Sequence, residues 1–168
     1  IDWLCWPRFD SGACFAALLG TPEHGRWQIA PHGAVTSTHR RYLDDTLILE
    51  TTFETEGGAV SVTDFMPIRR KGRKSVLVRI VTGLRGQVGM GMDLAFRFDY
   101  GRIVPWVSKA GDGRWRAIAG PHAVYLDSPV PLHGEDLRTR SAFNVTAGER
   151  LAFTLTYEAS HLPLPHAP

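Results

Sequence analysis

The sequence predicts an all-β fold, an antiparallel β-sandwich (supersandwich-like) with little helix, and three observations carry the prediction. Large apolar residues recur at every second position over 88–100. Turn signals return roughly every 8–12 residues, the spacing of a sandwich built from short strands. Hardly any stretch shows the apolar spacing of a surface helix.

Taken in order, the elements follow from that pattern. The run 14–19 (CFAALL) is the one place with helical character, enough for a turn or two before Gly20-Thr21-Pro22. Leu47, Leu49, Thr51 and Phe53 alternate with polar partners, 54–58 supplies a turn, and 59–66 returns with Val60 and Val62 on one face. Together they read as a hairpin. The run 75–82 (SVLVRIVT) is apolar on both faces and suits a central strand. Val88, Met90, Met92, Leu94, Phe96, Phe98 and Tyr100 then form the clearest alternation. After a turn at Gly111-Asp112-Gly113, two short strands, 114–119 and 122–127, flank Gly120-Pro121. The stretch 137–145 and the alternation of Leu151, Phe153, Leu155 and Tyr157 are separated by a turn at 146–149. Residues 1–160 are thus expected to form one domain, truncated at its start because it begins abruptly. Residues 161–168, with three prolines, read as a semi-rigid linker towards something further.

Composition excludes several classes. Hydrophobic residues at 43% and charged residues at 21% are those of an ordinary globular protein. A net charge of +2 does not call for nucleic acid, and no apolar run is long enough for a membrane helix. Cys5 and Cys14 are too few for a disulfide framework or a four-thiolate metal site, and a reduced pair points to a cytoplasmic protein.

Chemistry-bearing motifs are scarce. The chain has no phosphate-cradling loop, HExxH, CxxC or GxSxG, and its seven histidines lack metal-ligand spacing, so no metal or cofactor is expected. Glycoside hydrolysis by inversion needs two carboxyl groups about 6.5–9.5 Å apart. Asp44-Asp45 reads as a turn pair, Asp64 and Asp99 as strand-end residues, and Glu50 and Glu158 as residues of a solvated face. No catalytic pair is expected. The basic run 69–74 lies between two strands and reads as a solvated loop, with no aromatic interleaved for base stacking.

The opening segment is the exception. Trp3, Trp6, Arg8, Phe9 and Asp10 crowd around Pro7, in a pattern that suits neither helix nor simple strand. Its aromatics can be core or interface anchors. Equally, the loop from Trp6 to Asp10 can face a sugar pocket at a domain junction, where rings stack on sugars and the charges bind hydroxyls.

Read in order, several pieces match one family: the segment 1–11 (IDWLCWPRFDS), Phe15-Ala16-Ala17-Leu18-Leu19, Arg41-Tyr42-Leu43, Leu49-Glu50-Thr51-Thr52-Phe53, Val62-Thr63-Asp64-Phe65-Met66-Pro67, Phe98-Asp99-Tyr100-Gly101-Arg102, and Ala147-Gly148-Glu149 with Leu155-Thr156-Tyr157. In combination they resemble the N-terminal region of bacterial glucoamylase- and trehalase-like glycoside hydrolases (family fifteen). The resemblance implies a β-sandwich linked to an (α/α)6 barrel whose two glutamates hydrolyse α-glucosides such as trehalose or α-glucans with inversion. This chain would then hold no catalytic residue. It would pack on the barrel of the same polypeptide and shape its pocket edge through Trp3, Trp6, Arg8, Phe9 and Asp10. The alternative reading is a free-standing carbohydrate-binding module.

Overall fold

The structure, a computed structural model, describes residues 1–68, 74–110 and 113–163. Arg69 to Arg73 of the basic run, Gly111-Asp112 of the expected turn and 164–168 of the expected linker lie outside the described residues. The strands are β1 (Leu4–Cys5), β2 (Ala13–Phe15), β3 (Arg26–Pro31), β4 (Val35–Tyr42), β5 (Leu49–Thr55), β6 (Gly58–Phe65), β7 (Val76–Ala95), β8 (Trp106–Lys109), β9 (Trp115–Ala119), β10 (His122–Asp127), β11 (His133–Glu135), β12 (Arg138–Thr146) and β13 (Arg150–Ala159). Every pairing among them is antiparallel, and the fold is the all-β sandwich that the alternation predicts.

Strand β7 organises both layers. Its first part pairs with β6 and β13, within the run β4-β5-β6-β7-β13-β10-β9-β8. From Gln87 onward it pairs instead with β12, and over Met90 to Ala95 also with β3 on its other side. The sequence reads this stretch as two strands separated by glycines; the structure makes it one 20-residue strand. The glycines permit the bend. A Cβ on Gly83 would stand 1.9 Å from the carbonyl oxygen of Thr146, and Gly86 has φ +63° with the Gly57 carbonyl against it. Opposite Ala59-Val60 the register slips, Ala59 facing Arg85 and Val60 facing Gly83, so Leu84 bulges out. A bulge beside close-packed glycines is how a strand turns from one sheet into another.

The hairpins follow the sequence closely. Thr55 faces Gly58, leaving Glu56-Gly57 as a two-residue turn, and Val60 and Val62 are buried as their shared face requires. Ala119 faces His122 around Gly120-Pro121. The turn after β12 is closed by the Glu149 carboxylate, which accepts from the Thr146 backbone N–H at 3.0 Å.

Two further expectations need correction. Residues 14–19 do not form a helix: Ala13–Phe15 is strand β2, fully buried, and only Ala17–Leu19 makes a 3-10 turn. Three consecutive buried side chains need two apolar faces, which a strand paired with β1 between core layers supplies and a surface helix does not. The alternation of 88–100 also stops early. Strand β7 ends at Ala95, Phe96 and Phe98 stay buried beyond it, and Tyr100 (φ +57°) turns outward in the loop closed by the Phe98–Ile103 bridge. Strand β4 was not foreseen, because all eight of its residues are exposed and no apolar periodicity marks it.

The core is continuous across both layers and includes Phe15, Trp27, Val60, Met90, Leu94, Phe153 and Leu155. Arg79 threads into it with 5% exposure. Its guanidinium grips Asp64 through Nε–Oδ1 at 2.7 Å and a second N–H to Oδ2 at 3.0 Å, and donates to the Trp27 carbonyl at 2.7 Å. Asp64, one residue before the end of β6, is therefore the part-buried partner of a buried cation.

Candidate functional site

The opening segment is tied to the sandwich at its start and released at its tip. Ile1 and Trp27 exchange two backbone hydrogen bonds, and Leu18 N–H donates to the Asp2 carbonyl. Strand β1 then pairs with β2. Beyond the cis Trp6-Pro7 bond the chain makes a tight turn, Arg8 and Ser11 bonding through Ser11 N to Arg8 O at 3.1 Å and Arg8 N to Ser11 Oγ at 3.2 Å.

The five residues singled out by sequence separate into three environments. Trp6 is 4% exposed, its ring 6.1 Å from that of Tyr157. Trp3 is 39% exposed and leans on Tyr100 with ring centroids 6.0 Å apart. The tip carries Arg8, Phe9 and Asp10, with Phe9 89% exposed. Arg8 binds Asp10 in a bidentate pair, Nε to Oδ1 at 2.9 Å and a terminal N–H to Oδ2 at 3.1 Å. That hydrogen bonding holds the Asp10 carboxyl below the usual carboxylate range and raises the arginine. An exposed pair of this kind contributes little to stability; it leaves a charge-compensated, hydrogen-bonding fork beside a bare phenyl ring.

The end of β13 lies against the same segment. Tyr157 Oη and His122 Nδ1 are 2.8 Å apart, Phe98 stacks on His122 at 5.9 Å, and Ser160 bonds back to Gly120 and Pro121. Tyr157 thus joins the buried foot of the opening loop to the last strand. Sequence inspection offered no signal for this, because Trp6, His122 and Tyr157 are far apart along the chain.

Asp44-Asp45 lie in the turn between β4 and β5, where Asp45 has φ +55°, and the other four carboxylates weighed as catalytic candidates each face a cation. Asp64 is held by Arg79, Glu50 by Arg41 at 2.9 Å, Asp99 lies 3.8 Å from Arg102, and Glu158 pairs with Lys74. Glu158 is also buried rather than on a solvated face. Cys5 and Cys14 are free thiols, and burial pushes both up, Cys14 far beyond the ordinary range. Among the described residues no group of three or more His, Cys, Asp and Glu is placed to hold a metal, and no helix is long and apolar enough to cross a membrane.

A second feature escaped the sequence. Trp106 on edge strand β8 overhangs a cleft of about 360 Å³ that reaches Leu94 and Phe96 and is closed opposite by the β11–β12 turn.

A family model described as trehalase-like, N-terminal, matches residues 1–132. A trehalase of Mycobacterium tuberculosis is 30% identical over 84% of this chain and 24% of its own length. One of Mycolicibacterium smegmatis is 32% identical over 97% of this chain and 28% of its own. Trehalase 1 of Sulfolobus acidocaldarius is 30% identical over 67% and 19%. The chain spans about a quarter of the length of the first two relatives. The glucoamylase part of the expected resemblance is carried by neither the family description nor these names.

Proposed function

The chain belongs to the trehalase-like N-terminal family, and from that premise we propose that it is the non-catalytic N-terminal domain of a trehalase-type glycoside hydrolase. In this reading the sandwich packs on a catalytic barrel of the same polypeptide and the turn at Arg8-Phe9-Asp10 borders the barrel's pocket, where an α-glucoside such as trehalose is hydrolysed with inversion. The observation that carries it is the contrast within the opening segment. Trp6 is anchored in the core while Phe9, three residues on, is almost fully bare beside the Arg8–Asp10 fork. Large exposed apolar groups next to polar ones mark contact surfaces. A cytoplasmic setting agrees with two free thiols, one of them deeply buried.

The test is glucose release from trehalose and maltose by the 168-residue chain and by a longer trehalase-like polypeptide that carries it. The reading expects activity in the longer protein alone, and a reduced kcat/KM there on Phe9→Ala or Arg8→Ala. Hydrolysis by the 168-residue chain would overturn it.

A further inference from the structure

We infer that the cleft beneath Trp106 is a binding site for a neutral sugar ring, separate from the opening segment. Trp106 is the most exposed tryptophan, at 76%, and it stands on β8, which among the described residues pairs with β9 alone. Its cleft opens between that edge strand and the β11–β12 hairpin, with the half-buried Trp115 also in its wall. A volume of about 360 Å³ falls in the range of small-molecule sites.

The opposite rim is unusual. Glu135 faces Arg138 across the hairpin, so Asp136-Leu137 form a two-residue turn, with φ +49° and +57°. Turns of that hand ordinarily use Asn-Gly, and a bulky residue held there is strained. Leu137 is nevertheless 72% exposed, so burying its side chain does not repay the strain. The turn is held firmly: Arg97 donates to the Leu137 carbonyl at 3.1 Å, and Arg138 is clamped by Asp93 at 2.6 Å and by Glu23. A strained, braced turn that presents a leucine across from a bare indole is a preorganised rim.

The polar groups select the ligand class. Glu135 is engaged by Arg140, whereas the exposed Asp136 carboxylate makes no hydrogen bond or ion pair among the described residues and acts on Arg140 only through its charge. Its oxygens accept hydrogen bonds and offer nothing to an anion. An aromatic face, an aliphatic rim and one carboxylate free of hydrogen bonds among the described residues fit the C–H face and hydroxyls of a sugar. The surface is concave, and a protein partner that buries area over a flat patch fits it less well. The cleft argument stands without the family reading; the choice of α-linked glucose as first probe rests on that reading.

The experiment is a titration of the 168-residue chain with trehalose, maltose and cellobiose, followed by indole N–H signals in NMR spectra and by tryptophan fluorescence. The expected result is a saturable shift of the Trp106 indole with millimolar affinity for at least one disaccharide. Trp106→Ala abolishes it, the isosteric Asp136→Asn weakens it by about tenfold or less, and Phe9→Ala leaves it unchanged. Both cleft variants alter exposed side chains, and unchanged circular dichroism confirms their fold. Binding of cellobiose but neither α-glucoside supports the sugar site while counting against the trehalase-type reading. Absence of a saturable shift with all three sugars, or a shift that survives Trp106→Ala, overturns the inference. So does concentration-dependent dimerisation that Trp106→Ala removes, which would give the cleft to a second copy of the chain.

Discussion

Arg79 holds Trp27 twice: its guanidinium carbon lies 5.0 Å over the indole ring while one terminal N–H donates to the carbonyl of the same residue. Trp27 is wholly buried on β3 and Asp64 closes the pair from β6, so one side chain of β7 ties three strands together. Removing one member of a buried pair strands the other without water, at about 3–5 kcal/mol. Arg79→Met is expected to lower the free energy of urea unfolding by about that amount. Asp64→Asn, which keeps an acceptor for the arginine, is expected to cost less. Equal and negligible effects would show that the pair has no structural weight.

The bend in β7 makes a second prediction. Gly83→Ala places a methyl against the Thr146 carbonyl, a backbone atom that cannot swing aside. A loss of about 2 kcal/mol or more is expected, read as a fall in Tm of roughly 4–8 °C. A variant that melts with the wild-type chain would mean that the strand does not bend there.

Trp6 and Phe9 should respond oppositely to truncation. Trp6 contributes to the core, so Trp6→Ala is expected to cost about 3–5 kcal/mol. Phe9 touches little within the chain, and Phe9→Ala should stay within about 0.5 kcal/mol of wild type in denaturant melts. A large cost at Phe9 would place its ring inside the fold and remove it as a contact surface.

The Arg8–Asp10 fork has an acid limit. The arginine's hydrogen bonds lower the folded-state pKa of Asp10. The pair is therefore fully present above the unfolded carboxyl value of about 3.9 and opens as pH falls through the lower folded value. Carboxyl-carbon NMR titration should give Asp10 a midpoint below that of an ordinary aspartate, and Arg8→Gln should return it upward. An unchanged midpoint in Arg8→Gln would show that the fork does not form in solution.

Much of the fold was legible because β periodicity is local. Val60 and Val62, Met90 to Leu94, and Phe153 with Leu155 each announce a buried face through neighbours two residues away, and the core contains all of them. Strand β4 was illegible for the converse reason: all eight of its residues are exposed among the described residues, so no alternation was needed. Within the candidate site, sequence singled out Trp3, Trp6, Arg8, Phe9 and Asp10 together, but not that strand β1 separates Trp3 from Trp6 or that the five end in different environments. The cleft was invisible, since Trp106, Asp136 and Leu137 meet only after β8 and the β11–β12 hairpin are folded.

The all-β class, most strand positions and the odd character of the first residues follow from local order along the chain, because each depends on side chains within a few positions of one another. The tertiary structure alone decided that β7 runs unbroken through its glycines, that Trp6 is core while Phe9 is bare, and that Arg79 reaches Asp64 and Trp27. Those outcomes depend on which distant strands meet. A side chain's burial and partners are set by the surface packed against it, and residues far along the chain supply that surface.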